Sequence, residues 1–497
     1  MLTQLKEKWV YTEKTEALRN RDASRIKSVN SALLREASQF LSASVFSVYT
    51  KILKVEFMKR GPQQREKKAL SAAGLVSIVR NTFRSIPTAI NSRKIDLSDC
   101  LMSALAMFSL KSPSLLAFDE DRIEPIVEKN LQTLFEIKNV PCDTHMREVL
   151  DEVDPKELRK SFLAVFHEAQ RGKLLERYAF LGGYLCLVDG TEIFNSEKIH
   201  CKNCCQKNHS SGRVTYHHQI LGAVLATPGL SQVIPLCPEP ITKQDGATKN
   251  DCERNAFHRF LSDLKREHPR LKLTICSDAL SANGSHVREL HSLNYDFLIV
   301  VKPEGNKSLF EWVKGITREV RMTVEKNQYI FRYVNDVPLN ETKDAPNVNF
   351  IECEWTEVIG KQEKKGRCAW STSHEITDKN LYELMRGGRA RWKVENETFN
   401  TLKNQGYQFE HNFGHGRKNL HTVFALLMML AFLIDQIQEA ACGLFQEALK
   451  SMKTRRAFWE RMRSFFTLYV LRTWQDLFEA MRQRRRFKGS PLILDTS

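Results

Sequence analysis

Three acids are set in surroundings that suit chemistry: Asp189 in "LVDGTEIF" (187–194), Asp278 in "TICSDALSANG" (274–284) and Glu395 in "RWKVENETFNTLK" (391–403). Each aspartate closes a short apolar run of the kind that forms a buried strand, so both read as strand-end carboxylates. On a helical wheel turning by about 100° per residue, with Glu395 at zero, Trp392, Phe399 and Leu402 fall within about 60°. Glu397 falls near ~200° on the same wheel, so Glu395 is expected on the buried stripe and Glu397 on the surface. A carboxylate on an apolar stripe needs a cation beside it or its pKa climbs until it is neutral. Arg391, one turn earlier, could meet that need as a plain ion pair. The other solution is a shared divalent ion, since oxygen-only donors suit Mg²⁺ or Mn²⁺. Two such ions ~3.5–4 Å apart support phosphodiester chemistry, one activating a water or 3′-hydroxyl and the other stabilising the leaving oxygen.

A second cluster has different chemistry. "KIHCKNCCQKNHSSGRVTYHH" (198–218) contains Cys201-x2-Cys204, a zinc half-site in which both thiolates can bend back onto one tetrahedral ion. His217, or Cys252 from the following helix, would complete a structural Zn²⁺ site bracing a long strand connection; in the other reading His217 and His218 open a strand and pack beneath it. "HNFGHGRKNLH" (411–421) places Gly414 and Gly416 in a tight loop after the Glu395 segment, either touching a phosphate or turning one helix into the next.

The elements that must position these groups follow from periodicity. Residues 1–140 carry helix-like patterns broken by basic stretches such as "KRGPQQREKK", and residues 141–180 continue as a helical lead-in. From residue 181 to 305 the order is β, β, β, α, β, α, β, the strands being "YLCLVDG", "HHQILGAVLAT", "SQVIPLCPEPI", "PRLKLTICSD" and "FLIVVKP". The first helix, capped by Asn250, puts Ala256, Phe257, Phe260, Leu261 and Leu264 on one stripe. That order predicts an α/β fold with a mixed sheet, three antiparallel strands joined to parallel ones and covered by helices. Residues 306–377 alternate polar and apolar and read as an inserted antiparallel β-subdomain. Residues 378–436 return to helix, and 437–497 form a basic helical tail. From Ala440 onward the tail holds 12 Lys+Arg against 5 Asp+Glu, a net +7, interleaved with aromatics in a pattern that suits either a phosphate backbone or a solvated face.

With these motifs in place, residues 141–436 resemble the DDE transposases of bacterial insertion sequences. The resemblance implies an RNase H-like core, a β-subdomain inserted before the last acid, and catalytic, Mg²⁺- or Mn²⁺-binding roles for Asp189, Asp278 and Glu395. One branch of that family carries Tyr-x2-Arg-x3-Glu-x6-Lys on its last helix. Here Arg391-x3-Glu395 is kept, Gly388 stands at the tyrosine position, and Lys403 comes one residue late. The resemblance thus assigns Arg391 and Lys403 to transposon-end DNA, while Trp392 either stacks on a displaced base or packs in the core. It further implies double-stranded element ends and target DNA as partners, and a homodimer on DNA. A nuclease that only hydrolyses, or a DNA-binding protein without chemistry, would share most of these features.

The totals agree with a polyanionic partner. The 497 residues hold 75 Lys+Arg against 59 Asp+Glu, a net +16, and are too many for one core. The start, "MLTQLKEKWVYTEK", is charged where a signal peptide is apolar, so the chain is expected to stay inside the cell, and the resemblance implies a cytoplasmic, nucleoid-associated bacterial protein. "VFALLMMLAFLI" (423–434) is shorter than the ~20 residues of a bilayer span and reads as a buried helix, so no membrane is expected. The 12 cysteines are scattered in a way that suits reduced thiols.

Overall fold

Leu185, Cys186, Leu187 and Val188 are buried on both sides of their backbone, which places the segment inside a sheet with both faces covered. The computed structural model describes residues 68–87, 95–243, 252–360 and 362–482; the helical reading of 1–67, the Asn250 cap and the end of the basic tail lie outside them. The strands are β1 (Ala179–Phe180), β2 (Gly183–Ser196), β3 (Cys205–Asn208), β4 (Val214–Ala226), β5 (Ile234–Pro235), β6 (Glu239–Ile241) and β7 (Leu273–Ser277). They continue as β8 (Asp296–Val301), β9 (Arg318–Val324), β10 (Asn327–Pro338), β11 (Asn347–Ile359) and β12 (Gln362–Thr372).

All belong to one mixed, mostly antiparallel 12-stranded sheet of order β3-β4-β2-β7-β8-β12-β11-β10-β9, with β5 and β6 also paired to β4. The chain is therefore of the α/β class. β2 and β4 form an antiparallel arm, whereas β2, β7 and β8 run parallel. Parallel neighbours need long crossovers, supplied by helices Glu253–Glu267 before β7 and Gly284–Ser292 after it. The third expected strand is split into β5 and β6, because Pro235, Pro238 and Pro240 have no N–H for a ladder. Strands β9 to β12 do form in the stretch expected to be antiparallel, and β12 pairs with β8, so they lengthen the main sheet.

Asp189 is not at a strand end: β2 runs on to Ser196, with Asp189 opposite Gly222 of β4. The apolar run does end there, and for a physical reason. The last parallel pair is Leu187 with Cys276, so beyond it β2 loses β7 as a neighbour and only β4 goes on pairing.

"VFALLMMLAFLI" is the middle of a 22-residue helix, Leu420–Ala441, buried on every side; by length and composition it could cross a membrane, yet here it is the core around which the other helices pack. Its ionisable Asp435 is satisfied internally by Lys111 and by Tyr407 Oη at 2.7 Å, while Lys111 Nζ also lies 4.0 Å from the Trp459 ring. Burial drives the Asp435 pKa up and the Lys111 pKa down, with the pair opposing both shifts.

The N-terminus of this helix is capped from far away in sequence. Asp151 accepts the backbone N–H groups of Arg417, Lys418 and Asn419, which lead into the helix, and of Leu420, its first residue, each at 2.9 Å, so it fixes the entry of the chain and takes up one donor that a helix start leaves orphaned. Burial works to raise its pKa, but these four donors outweigh it and hold the carboxyl below its ordinary value. A depressed carboxylate pKa contributes stability that is full above the unfolded value of ~3.9 and is lost as pH falls through the folded value. Asp151→Ala is expected to lower the melting temperature at pH 7, losing about 1 kcal/mol or more as cap removal typically does. The gap from the unsubstituted protein should close below about pH 4; thermal melts showing the same gap at pH 7 and pH 3 would contradict this assignment.

Candidate active site

Carrying the register of Leu187 and Cys276 two residues forward on both strands brings Asp189 abreast of Asp278. Two residues is one side-chain period, so both carboxylates leave the sheet on the same face, on strands ~4.8 Å apart. Asp278 stands just beyond β7 and caps the short turn Ala279–Ser281, accepting Leu280 N at 3.0 Å. Asp189 accepts its neighbour Gly190 N at 3.0 Å and the guanidinium of Arg391 at 2.6 Å. Burial pushes the Asp189 carboxyl upward, Arg391 pulls it back, and the charge of Asp278 pushes it up again.

A third carboxylate joins them, and it is not the expected one. Glu253, on the first turn of helix Glu253–Glu267, lies so close to Gly190 that a Cβ added there would sit 2.8 Å from its Oε2. Burial, then the charges of Asp278 and Asp189, push its pKa up to about 7. Sequence reasoning missed Glu253, although the signal was present: it lies three, four and seven residues before Ala256, Phe257 and Phe260, on the helix's own buried stripe.

Glu395 is placed differently from the wheel. Val394–Phe399 is a π-helix, with Asn400 N donating to Glu395 O, five residues back. The added residue per turn rotates the faces: Val394, Thr398, Phe399, Thr401 and Leu402 are buried, Glu395 is exposed and Glu397 is half-buried. Trp392, expected on the apolar stripe, is 62% exposed for the same reason. Nor does Arg391 pair with Glu395; it reaches Asp189, and among the described residues Glu395 makes no ion pair. Four residues of helix separate them, a rise of about 6 Å, so Glu395 stands roughly one turn beyond the arginine that grips Asp189. Lys403 pairs with Glu410 at 2.8 Å.

Close contacts seat this segment. A Cβ on Gly222, opposite Asp189, would lie 2.8 Å from the Phe399 ring, so the π-helix rests on β4 at the level of the acids. A Cβ on Gly388 would lie 2.4 Å from Trp370, which leaves no room for a tyrosine at that position.

The Cys/His cluster also converges, with a changed membership. Among the described residues, Cys201, Cys204, His218 and His415 are the group able to hold a metal ion, their ligand atoms all within 4.8 Å of one another. His217 precedes His218 on β4 and faces the other side of the sheet by strand alternation; Cys252 is exposed at the start of its helix. The Cys201 thiol is held far below its ordinary pKa by its hydrogen bond with Cys204 and then by His218 and His415. The loop carrying Gly414 and Gly416 thus brings His415 into this group as it turns into the long helix. All 12 cysteines are free thiols.

Compared with known proteins, the chain matches no family model, and no curated protein resembles it significantly.

Proposed function

We propose that the chain is a DNA-cutting and strand-transferring enzyme of the DDE transposase kind, built on an RNase H-like core and working with Mg²⁺ or Mn²⁺. The observation that supports this best is the approach of Asp189 and Asp278, each two residues past the last parallel pair of β2 with β7 and electrostatically coupled, with Arg391 and Glu253 beside them. The sheet joins three antiparallel strands, β5/β6, β4 and β2, to the parallel β7 and β8, the mixed arrangement that the order of elements in the sequence predicts, and this supports the reading.

In this reading Asp189 and Asp278 would hold the ions, and Glu395, exposed on the neighbouring π-turn and without an ion pair among the described residues, would supply the third carboxylate. Like-charged acids gathered on a half-buried face are relieved by a divalent cation more completely than by one guanidinium. Arg391 then passes from Asp189 to a DNA phosphate, a fork geometry that suits it. Trp392 offers its exposed ring to a base. Glu253, which feels the charge of both aspartates, is poised to take a proton from the attacking water or 3′-hydroxyl. The +16 net charge favours DNA as the partner of these groups. Two ends to cut argue for a homodimer on DNA.

Single-turnover reactions with labelled element-end DNA and Mn²⁺ test this. Asp189→Asn, Asp278→Asn and Glu395→Gln are each expected to slow cleavage by roughly 10²-fold or more while leaving DNA binding intact, as loss of a group acting on developing charge does. Joined products identify strand transfer, and cleaved products alone identify a hydrolytic nuclease. Wild-type cleavage by Asp189→Asn would remove the proposal, and wild-type cleavage by Glu395→Gln with loss in Glu253→Gln would transfer the third role to Glu253.

The seat of the π-helix gives a separate outcome. Gly222→Val should displace Phe399 and slow cleavage by up to ~10²-fold, the usual cost of an ångström of misplacement. The double variant with Phe399→Ala should recover part of the rate; a fully active Gly222→Val would show that this seat does not position the site.

A further inference from the structure

We infer that Cys201, Cys204, His218 and His415 bind one Zn²⁺ that pins the sheet to the loop leading into the buried core helix. A tetrahedron with Zn–S of ~2.3 Å and Zn–N of ~2.0–2.1 Å has edges of about 3.8 Å between sulfurs and about 3.6 Å between sulfur and nitrogen. The two sulfurs are 3.8 Å apart. His218 Nε2 lies 3.4 Å from Cys201 Sγ and 3.3 Å from Cys204 Sγ, and His415 Nε2 lies 3.1 Å from Cys204 Sγ. Two thiols and two imidazoles are a soft S₂N₂ set, which selects zinc over the oxygen-seeking ions of the acid site.

The backbone is shaped for the ion. Cys201 N points at Cys204 Sγ at 3.4 Å, and Cys204 N bonds to Cys201 O at 3.2 Å, closing a knuckle that presents both sulfurs to one side. The knuckle is docked where the ion needs it, with Asn203 Nδ2 bonded to Lys418 O at 2.6 Å. Cys204, His218 and His415 are almost wholly buried, and the Phe194 ring lies 4.5 Å from the His415 ring, tilted by 42° to it. With four protein ligands and apolar cover the site has no open position, so the ion is structural and takes no part in the chemistry of the acids.

Its position gives it a task. His218 is four residues before Gly222, the seat of Phe399 opposite Asp189, and His415 lies in the connection from the π-helix segment to helix Leu420–Ala441. Zinc therefore fastens β4 and that connection together at one end of the acid site.

Metal analysis of the purified chain tests the assignment with no reference to DNA chemistry, so its failure and that of the proposed function are told apart. We expect about one zinc per chain, and cobalt substitution should give the visible d–d bands and thiolate charge-transfer band of a tetrahedral S₂N₂ site. Cys204→Ser and His415→Ala should lose zinc at least roughly tenfold under mild chelation, whereas His217→Ala and Cys252→Ser should keep it. The unsubstituted protein's cobalt spectrum decides the matter even if the ligand variants do not fold. Sub-stoichiometric zinc, an octahedral cobalt spectrum, or retention of zinc by His415→Ala with loss in His217→Ala would overturn the assignment.

Discussion

Everything at the candidate active site depends on the parallel pairing of β2 with β7. Because the side-chain period of a strand is two, that register alone decides whether Asp189 and Asp278 share a face, and a slip of one residue would send one of them through the sheet. Both strands are buried on both sides, with Leu185, Leu187, Ile275 and Cys276 fully enclosed, so close packing against the covering helices holds that register in place. Hydrophobic burial thus sets the geometry of the polar groups, at the level where β7 ends and β2 still has β4 to pair with.

Glycine does the rest of the spacing. Gly190 leaves room for the Glu253 carboxylate, and Gly222, across the ladder from Asp189, leaves room for Phe399. The acid site is therefore a place where two backbone positions give up their side chains so that groups from two helical segments can approach two neighbouring strands, β2 and β4. Arg391 occupies the centre of that arrangement, opposing the charge that burial and neighbouring carboxylates make costly. π-turns are often found at functional sites because the widened turn re-aims side chains, and here it turns Glu395 and Trp392 outward beside that arginine.

The core helix connects this face to the remainder of the chain. Buried ion pairs are not strong stabilisers overall, but removing one partner leaves an uncompensated charge at a cost of about 3–5 kcal/mol, so Lys111, Asp435 and Tyr407 fix how the helix sits. Tyr407 and His415 both belong to the connection between the π-helix and the core helix, so this connection is fastened at its beginning by the buried network and near its end by the thiol and imidazole cluster. Asp151 then caps the helix where it starts.

The sequence by itself determined what depends on local pattern. The apolar runs ending at Asp189 and Asp278, the alternation from β9 to β12, the wholly apolar 423–434 segment and the Cys201-x2-Cys204 knuckle were legible because each reflects a period or spacing within a few residues. Even Glu253 was within reach, being an acid on its own helix's buried stripe. What only the tertiary structure decided required contacts distant in sequence or a departure from ideal geometry. His415 joins Cys204 across 211 residues, Arg391 joins Asp189 across 202, and no local rule selects either. The outward turn of Glu395 and Trp392 follows from one extra residue per helical turn, which a 100° wheel cannot represent, and the choice of His218 over His217 follows from which face of β4 the knuckle packs against.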